Sequence, residues 1–323
     1  MIRTASIALA SALFAVVLAA GAQDSWPTRP VRMIAPFTPA GATDILARFT
    51  ADALSKRVGQ NIIVENRPGA GANLGAELAL HATPDGYTIL MAPSTVYAAG
   101  MSLYAKPRFN LSKDFIAVAT LAYVPHVLVV ASGVKVTSVR ELIALAKAEP
   151  GGLNMASQGV GTISQLEGEL FQHMAGIQMT HIPYKGSQPA HVDLMGGRVQ
   201  VMFDSVAAAL PQIRAGKLRA LGVTTPVRVK QLSEVPTIAE AGVPGYVSES
   251  WLGIFVPAGV SNVVVARLYQ ELAAIGSDRA FVQKLSDSGF EVKVIGREDY
   301  ARLIEREAAH WAVVVKRANI SLE

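Results

Sequence analysis

Short apolar runs alternate with longer segments of helical period along most of this chain. Runs at 31–35, 61–65, 88–92, 126–131, 153–156, 179–182, 199–203, 218–223 and 251–256 have the length and character of buried strands. Between them, apolar residues recur every three or four positions over 43–58, 72–81, 138–147, 162–175, 186–196, 205–215, 261–275, 278–286 and 297–317, which predicts helices. In the last segment Tyr300, Leu303, Ile304, Trp311, Val314 and Val315 share one face, a core-packing pattern. Such alternation predicts parallel sheets with helices on both faces. Nine strands are many for one sheet and natural for two domains of four or five each. The predicted class is therefore two-domain α/β, and the cleft between the domains, where strand ends and helix N-termini gather, is the default site.

The stretch Val31–Leu46 shows how such a site is made. Val31, Met33, Ile34 and Ala35 form a strand, and Pro36, Pro39 and Gly41 forbid both a continued ladder and an immediate helix. Thr43 is predicted to N-cap a helix beginning at Asp44, with Ile45, Leu46, Phe49, Ala53 and Leu54 at helical spacing. Backbone N–H groups and a positive dipole end then face outward, an anion site with no charged side chain. The plain alternative is an ordinary strand-to-helix connection.

Half of the 323 residues are hydrophobic and only 17% are charged, which excludes disorder. Part of the apolar excess lies at the N-terminus. Arg3, the apolar run Ile7–Ala20 and the small residues Ala20-Gly21-Ala22 predict a secretory signal peptide over residues 1–22. No cysteine is present, so thiol catalysis and disulfide staples are excluded. The net charge of +4 falls to +3 without Arg3, with no basic run or basic–aromatic interleaving, which argues against nucleic acid.

Several enzyme signatures fail on inspection. In Gly69-Ala70-Gly71-Ala72-Asn73-Leu74-Gly75 the last glycine comes one position late for a dinucleotide fingerprint, and Gly216-Lys217 lacks the rest of a phosphate loop. Ser157, preceded at two residues by Met155, is no nucleophile elbow. His81, His126, His173, His181, His191 and His310 show no metal-ligand spacing and read as surface or capping residues. Catalytic residues, metal and cofactor are accordingly expected to be absent.

What recurs is uncharged anion-site chemistry. Ser94 and Thr95 follow one strand, and Ser157 to Thr162 end another in a Gly/Ser turn. Thr162 with Gln165 matches a capping box, and either residue could also touch a ligand. Asp204 closes the strand of VQVMFDS, where it reads as an N-cap or as an acceptor for a ligand hydroxyl, ammonium or acid proton. Tyr184 and Lys185 stand at a further strand-to-helix junction, with Lys185 read as a solvated surface cation.

These residues also carry a resemblance. Trp26-Pro27, Arg29-Pro30-Val31, Pro36-Phe37-Thr38-Pro39-Ala40-Gly41-Ala42-Thr43-Asp44, Glu65-Asn66-Arg67-Pro68-Gly69-Ala70-Gly71, Pro84-Asp85-Gly86-Tyr87-Thr88, His181-Ile182-Pro183-Tyr184-Lys185-Gly186, Ala215-Gly216-Lys217-Leu218-Arg219-Ala220-Leu221 and Val235-Pro236-Thr237 occur in this order. From Trp26 onward the chain resembles the Bug-type extracytoplasmic solute receptors of tripartite tricarboxylate transporters. The resemblance implies a two-domain periplasmic-binding-protein fold, class II-like, closing on a small carboxylate held by backbone amides, hydroxyls and waters. The expected division is 23–124 with 247–323 as domain 1 and 125–246 as domain 2. The expected ligand site comprises Phe37, Thr38, Ala40, Gly41, Thr43, Asp44, Ser94, Thr95, Ser157, Gly161, Thr162, Gln165, Tyr184, Asp204 and Ser205. Two departures bear on ligand identity: the family's Pro-Gly-Gly turn reads Pro39-Ala40-Gly41 here, and Gln165 replaces a histidine common near that helix start. The expected function is a monomeric periplasmic receptor that delivers its carboxylate to membrane permease subunits. The competing readings are a periplasmic enzyme acting on a small acid in the same cleft and a sensory ligand-binding partner.

Overall fold

The computed structural model describes residues 26–103 and 106–317, so the export segment expected at 1–22 lies outside the described residues. The chain opens with β1 (Val31–Ala35), α1 (Ala42–Val58), β2 (Ile62–Asn66), α2 (Asn73–Leu80), β3 (Thr88–Pro93), α3 (Ser94–Leu103), the single turn α4 (Leu111–Asp114) and β4 (Phe115–Tyr123). It continues through β5 (His126–Ala131), α5 (Val139–Ala148), β6 (Asn154–Ser157), α6 (Ile163–Ala175), β7 (Thr180–Pro183), α7 (Ser187–Met195), β8 (Val201–Ser205), α8 (Val206–Arg214) and β9 (Leu218–Val223). It closes with β10 (Trp251–Pro257), α9 (Asn262–Gly276), α10 (Arg279–Asp287), β11 (Glu291–Val292) and α11 (Arg297–Arg317).

Two sheets organise these elements into two lobes. The first has the order β11-β4-β10-β3-β1-β2 and the second β7-β6-β8-β5-β9. Along β5, Val127 and Val129 enter one buried cluster and Leu128 and Val130 the other, the period-two division of a strand covered on both faces. In the first lobe the same division places Val31 and Met33 toward α1 and α9, and Ile34 toward the cluster holding α3 and α11.

The expectation of purely parallel sheets is corrected. β1 runs parallel to β2 and β3, and β6 parallel to β7 and β8. β10 is antiparallel to β3 and β4, and β5 antiparallel to β8 and β9. These two strands arrive from the other lobe instead of from a crossover helix, so nothing forces them to run with their neighbours. The two crossings bond to each other where Val124 N–H donates to the Ser250 carbonyl at 2.8 Å, and the returning segment closes on itself where Ser248 N–H donates to the Thr224 carbonyl at 2.9 Å.

Candidate ligand-binding site

The first wall of the cleft is the connection from β1 to α1. Gly41, extended at φ −83° and ψ 169°, is the N-cap, and the helix begins at Ala42. The expectation that Thr43 caps this helix is therefore corrected: Thr43 is the second helical residue. Because Gly41 has no side chain, the amides of Ala42 and Thr43 have no protein acceptor among the described residues. Asp44 points the other way. Its carboxylate accepts from Ala40 N–H at 2.8 Å and from Arg48 and the Asn66 amide at about 3 Å, while Asn66 also donates to the Phe37 carbonyl at 3.0 Å. Burial alone would raise the Asp44 pKa, but these donors outweigh it and hold the carboxyl below its usual range. Asp44 thus shapes the loop and leaves the amides of α1 to face the cleft. Ala40 sits at φ +61°, the left-handed region where glycine is strain-free and alanine is not.

The second wall repeats the device. Thr162 occupies the N-cap of α6 without capping it; its hydroxyl donates to the Gly159 carbonyl at 2.7 Å. Gln165 Oε1 reaches back past the cap and accepts from Gly161 N–H at 2.8 Å. The capping box expected from the sequence is therefore not formed: Thr162 does not cap, and Gln165 takes the amide of Gly161 in place of that of Thr162. In both walls the third helical residue satisfies the amide before the cap and leaves the first turn open.

Asp204 organises the rest of this wall. Wholly buried, it accepts from Gln158 at 2.6 Å, Ser187 at 2.8 Å, His191 at 2.7 Å and the Ser205 N–H at 2.8 Å. Burial pushes its pKa up, yet His191, His126 and the Ser187 hydroxyl more than offset this, so the group stays ionised well into acid. The N-cap of α8 is Ser205, whose Oγ accepts from Ala208 N–H, and not Asp204.

Between the walls lies a narrow cavity. Phe37, Gly41, Ala42 and Thr43 line it from the β1–α1 connection and the first turn of α1, with Pro93 of β3, Val96 of α3, Leu252 of β10, and Val124 and Ser250 from the two crossings. His126, Gln158, Ile163 and Ser187 line it from the second lobe. No lysine or arginine among these residues faces it, and Lys185 is exposed elsewhere.

The structure thus brings Phe37, Gly41 and Thr43 of the expected set to the cavity and places the others behind it or beside it. Ser94 donates to the Trp251 carbonyl and Thr95 accepts from Trp251 N–H, so both pin β10. Ser157 bonds His181 Nε2 at 2.6 Å and the Gly159 amide, and Tyr184 donates to Asp193. Gly161 lines a smaller crevice with Gly71, Asn73 and Val96. Thr38 packs against Gly186, and the Ala40 carbonyl accepts from Gln188 of the other lobe.

The reading of every histidine as a surface or capping residue is corrected for His126 and His191, which are 3% and 1% exposed. His126 Nδ1 lies 2.8 Å from the buried Glu167 carboxylate. Along with Gln158, Ser187 and Ser250, it is a lining residue that the sequence set omits. The polar residue opening the otherwise apolar run His126–Ala131 was the available signal.

Residues 46–320 match the family described as tripartite tricarboxylate transporter family receptor. The chain belongs to this family. The receptor is 36% identical over 302 residues to protein BugT of Bordetella pertussis, covering 93% of this chain and 92% of the relative. It superposes on an adipate-bound structure, Rpa4515 of R. palustris, with a TM-score of 0.89 and 38% identity, covering 92% and 99% of the two chains. A malate-bound relative, MatC of Rhodopseudomonas palustris, gives 0.84 at 30% identity, covering 90% and 100%. Family and neighbours alike are solute-binding receptors and not enzymes, and the fold is of the two-lobed periplasmic-binding-protein type.

Proposed function

We propose that this receptor captures a small organic carboxylate between its lobes in the periplasm, as a monomer, and hands it to the membrane permease subunits of a tripartite tricarboxylate-type transporter. The observation that carries the reading is the uncapped start of α1, whose first residues line a cavity with Ile163 of α6 across from them and no lysine or arginine among its described lining residues. Open amides at a positive dipole end suit a carboxylate and form short charge-assisted hydrogen bonds to it. The adipate- and malate-bound relatives support the same ligand class. The division into 23–124 with 247–323 and 125–246 places one wall on each domain, so ligand contacts to both favour the closed state.

In this reading Phe37, Gly41, Ala42, Thr43, Gln158 and Ser187 touch the ligand. Thr38, Ala40, Asp44, Ser94, Thr95, Ser157, Gly161, Thr162, Gln165, Tyr184, Asp204 and Ser205 hold the walls that present those contacts. A thermal-shift screen of the mature protein over mono-, di- and tricarboxylates is the test. The bound acid at one hundred times its Kd is expected to add about 2.7 kcal/mol of stability. Stabilisation by amines or neutral sugars, with no carboxylate active, would overturn the assignment.

A further inference from the structure

The proposed carboxylate cleft holds one proton-carrying side chain whose partner is buried and otherwise unsatisfied. His126 opens β5 beside the crossing residues Val124 and Pro125, and it lines the cavity together with Ser250 from the opposite crossing. Its Nδ1 is engaged by Glu167 Oε2 at 2.8 Å. Glu167 is 0% exposed on α6, and its second oxygen has no hydrogen-bond partner among the described residues. A fully buried carboxylate keeps its charge only when the group beside it supplies a compensating one, so Glu167 favours the imidazolium form of His126, with Nδ1–H donated to Glu167 and a second proton on Nε2. With Nδ1 committed, the ring nitrogen left for the cavity is Nε2, which no protein group among the described residues occupies.

The electrostatic setting of His126 is one-sided. Glu167 faces it from α6, and Asp204 acts on it from β8 while itself satisfied by His191, Ser187, Gln158 and a backbone amide. From the first lobe the cavity residues Phe37, Gly41, Thr43, Val96 and Leu252 bring no titratable group. Burial disfavours charge on the ring, but Glu167 and then Asp204 more than compensate, so its pKa stands above the usual histidine value.

We propose that His126, oriented by Glu167, is a specificity-determining residue of this cleft: its Nε2–H donates to the second carboxylate of a dicarboxylate whose first carboxylate is held at the start of α1. The inference rests on the carboxylate reading above and narrows it. Without the proton, a second ligand carboxylate would confront the negative charge of Glu167. Dicarboxylate affinity is therefore level while His126 is protonated and falls as pH rises through its titration, with a proton taken up from the buffer on binding. A monocarboxylate, held only at α1, shows neither effect.

The test is calorimetry on the mature protein with matched pairs of acids: succinate and butyrate, glutarate and valerate, adipate and hexanoate. The best-bound diacid should exceed its monoacid partner by about tenfold or more. Its affinity should fall above the His126 titration, and its binding enthalpy should there depend on the buffer. His126→Gln should lower diacid affinity by about tenfold, change monoacid affinity less than about threefold, and remove the pH dependence. Should that variant not fold, Glu167→Gln serves, and is expected to move the fall in diacid affinity to lower pH. Monoacids binding as tightly as diacids, or a variant that weakens both equally, would overturn the role of His126 and leave the carboxylate reading standing. A panel in which no acid binds would overturn both.

Discussion

Asp204 shows what a buried carboxylate does when donors converge on it. Gln158 and Ser187 line the cavity, and both hydrogen-bond to Asp204, so the second wall has the rigidity of that one side chain. Replacing it with the isosteric amide keeps Oδ1 as the acceptor for Gln158, Ser187 and the Ser205 amide, but turns the Oδ2 acceptor into a donor opposite His191 and removes the charge there. Asp204→Asn is expected to destabilise the protein by about 2–4 kcal/mol near neutral pH and to weaken ligand binding. Because the folded pKa is depressed, the stabilisation is fully present above the ordinary aspartate value and is lost as pH falls through the folded one. Urea unfolding at pH 7, 5 and 3 checks this: the gap between wild type and variant should narrow only at the acid end. A gap as wide at pH 3 as at pH 7 would show that packing, and not charge, holds the cluster. Ala40 illustrates a smaller cost at the same scale, a left-handed residue retained where Asp44 and Gln188 bind its amide and carbonyl.

At the scale of elements, the working part is the first turn of α1. Gly41 is extended, the backbone that a following proline requires, and proline is tolerated at a first helical position. Ala42→Pro therefore deletes one amide facing the cavity while leaving the helix intact. Ligand affinity should fall by about 1.5–3 kcal/mol, the worth of a hydrogen bond to a charged group, with the melting temperature of the free protein little changed. Calorimetry beside a thermal scan separates the two; affinity that survives the change would move the carboxylate away from α1. The strand–loop–helix unit behind this prediction is legible in the sequence because Pro36, Pro39 and Gly41 punctuate it. The cap is not, since Thr43 is the better capping side chain and backbone angles decide for Gly41. α3 escapes periodicity because Ser94 to Ala99 are all buried and it has no polar face in that half. β4 escapes because its middle is alanine, valine and threonine between two lobes' worth of stronger runs. His126 and Gln158 owe their roles to partners 41 and 46 residues away, a distance over which local pattern carries no information.

For the molecule as a whole, the question is what sets the balance between open and closed lobes. In this structure Gln188 donates to the Ala40 carbonyl at 3.2 Å across the cleft, and Ile163 and Leu166 of the second lobe pack into the first lobe's buried cluster. A close approach lies at Gly186, where an added Cβ would lie 2.2 Å from Thr38 Oγ1 and 3.3 Å from the Thr38 amide. Gly186→Ala should therefore act as a wedge. If it lowers the closed population tenfold, the apparent Kd rises tenfold, about 1.4 kcal/mol, with no ligand contact altered. Small-angle scattering should show the ligand-dependent compaction of the wild type weakened in the variant. Gly186 also sits at φ +143°, so backbone strain alone could produce a loss of affinity. The double variant Gly186→Ala with Thr38→Ala distinguishes the causes, because the Thr38 hydroxyl has no hydrogen-bond partner among the described residues to lose and its removal clears the nearest atom. Recovery of affinity in the double variant is the expected result and identifies the wedge. Affinity that stays low, with compaction intact, would place the effect in the second lobe's own backbone and detach Gly186 from closure.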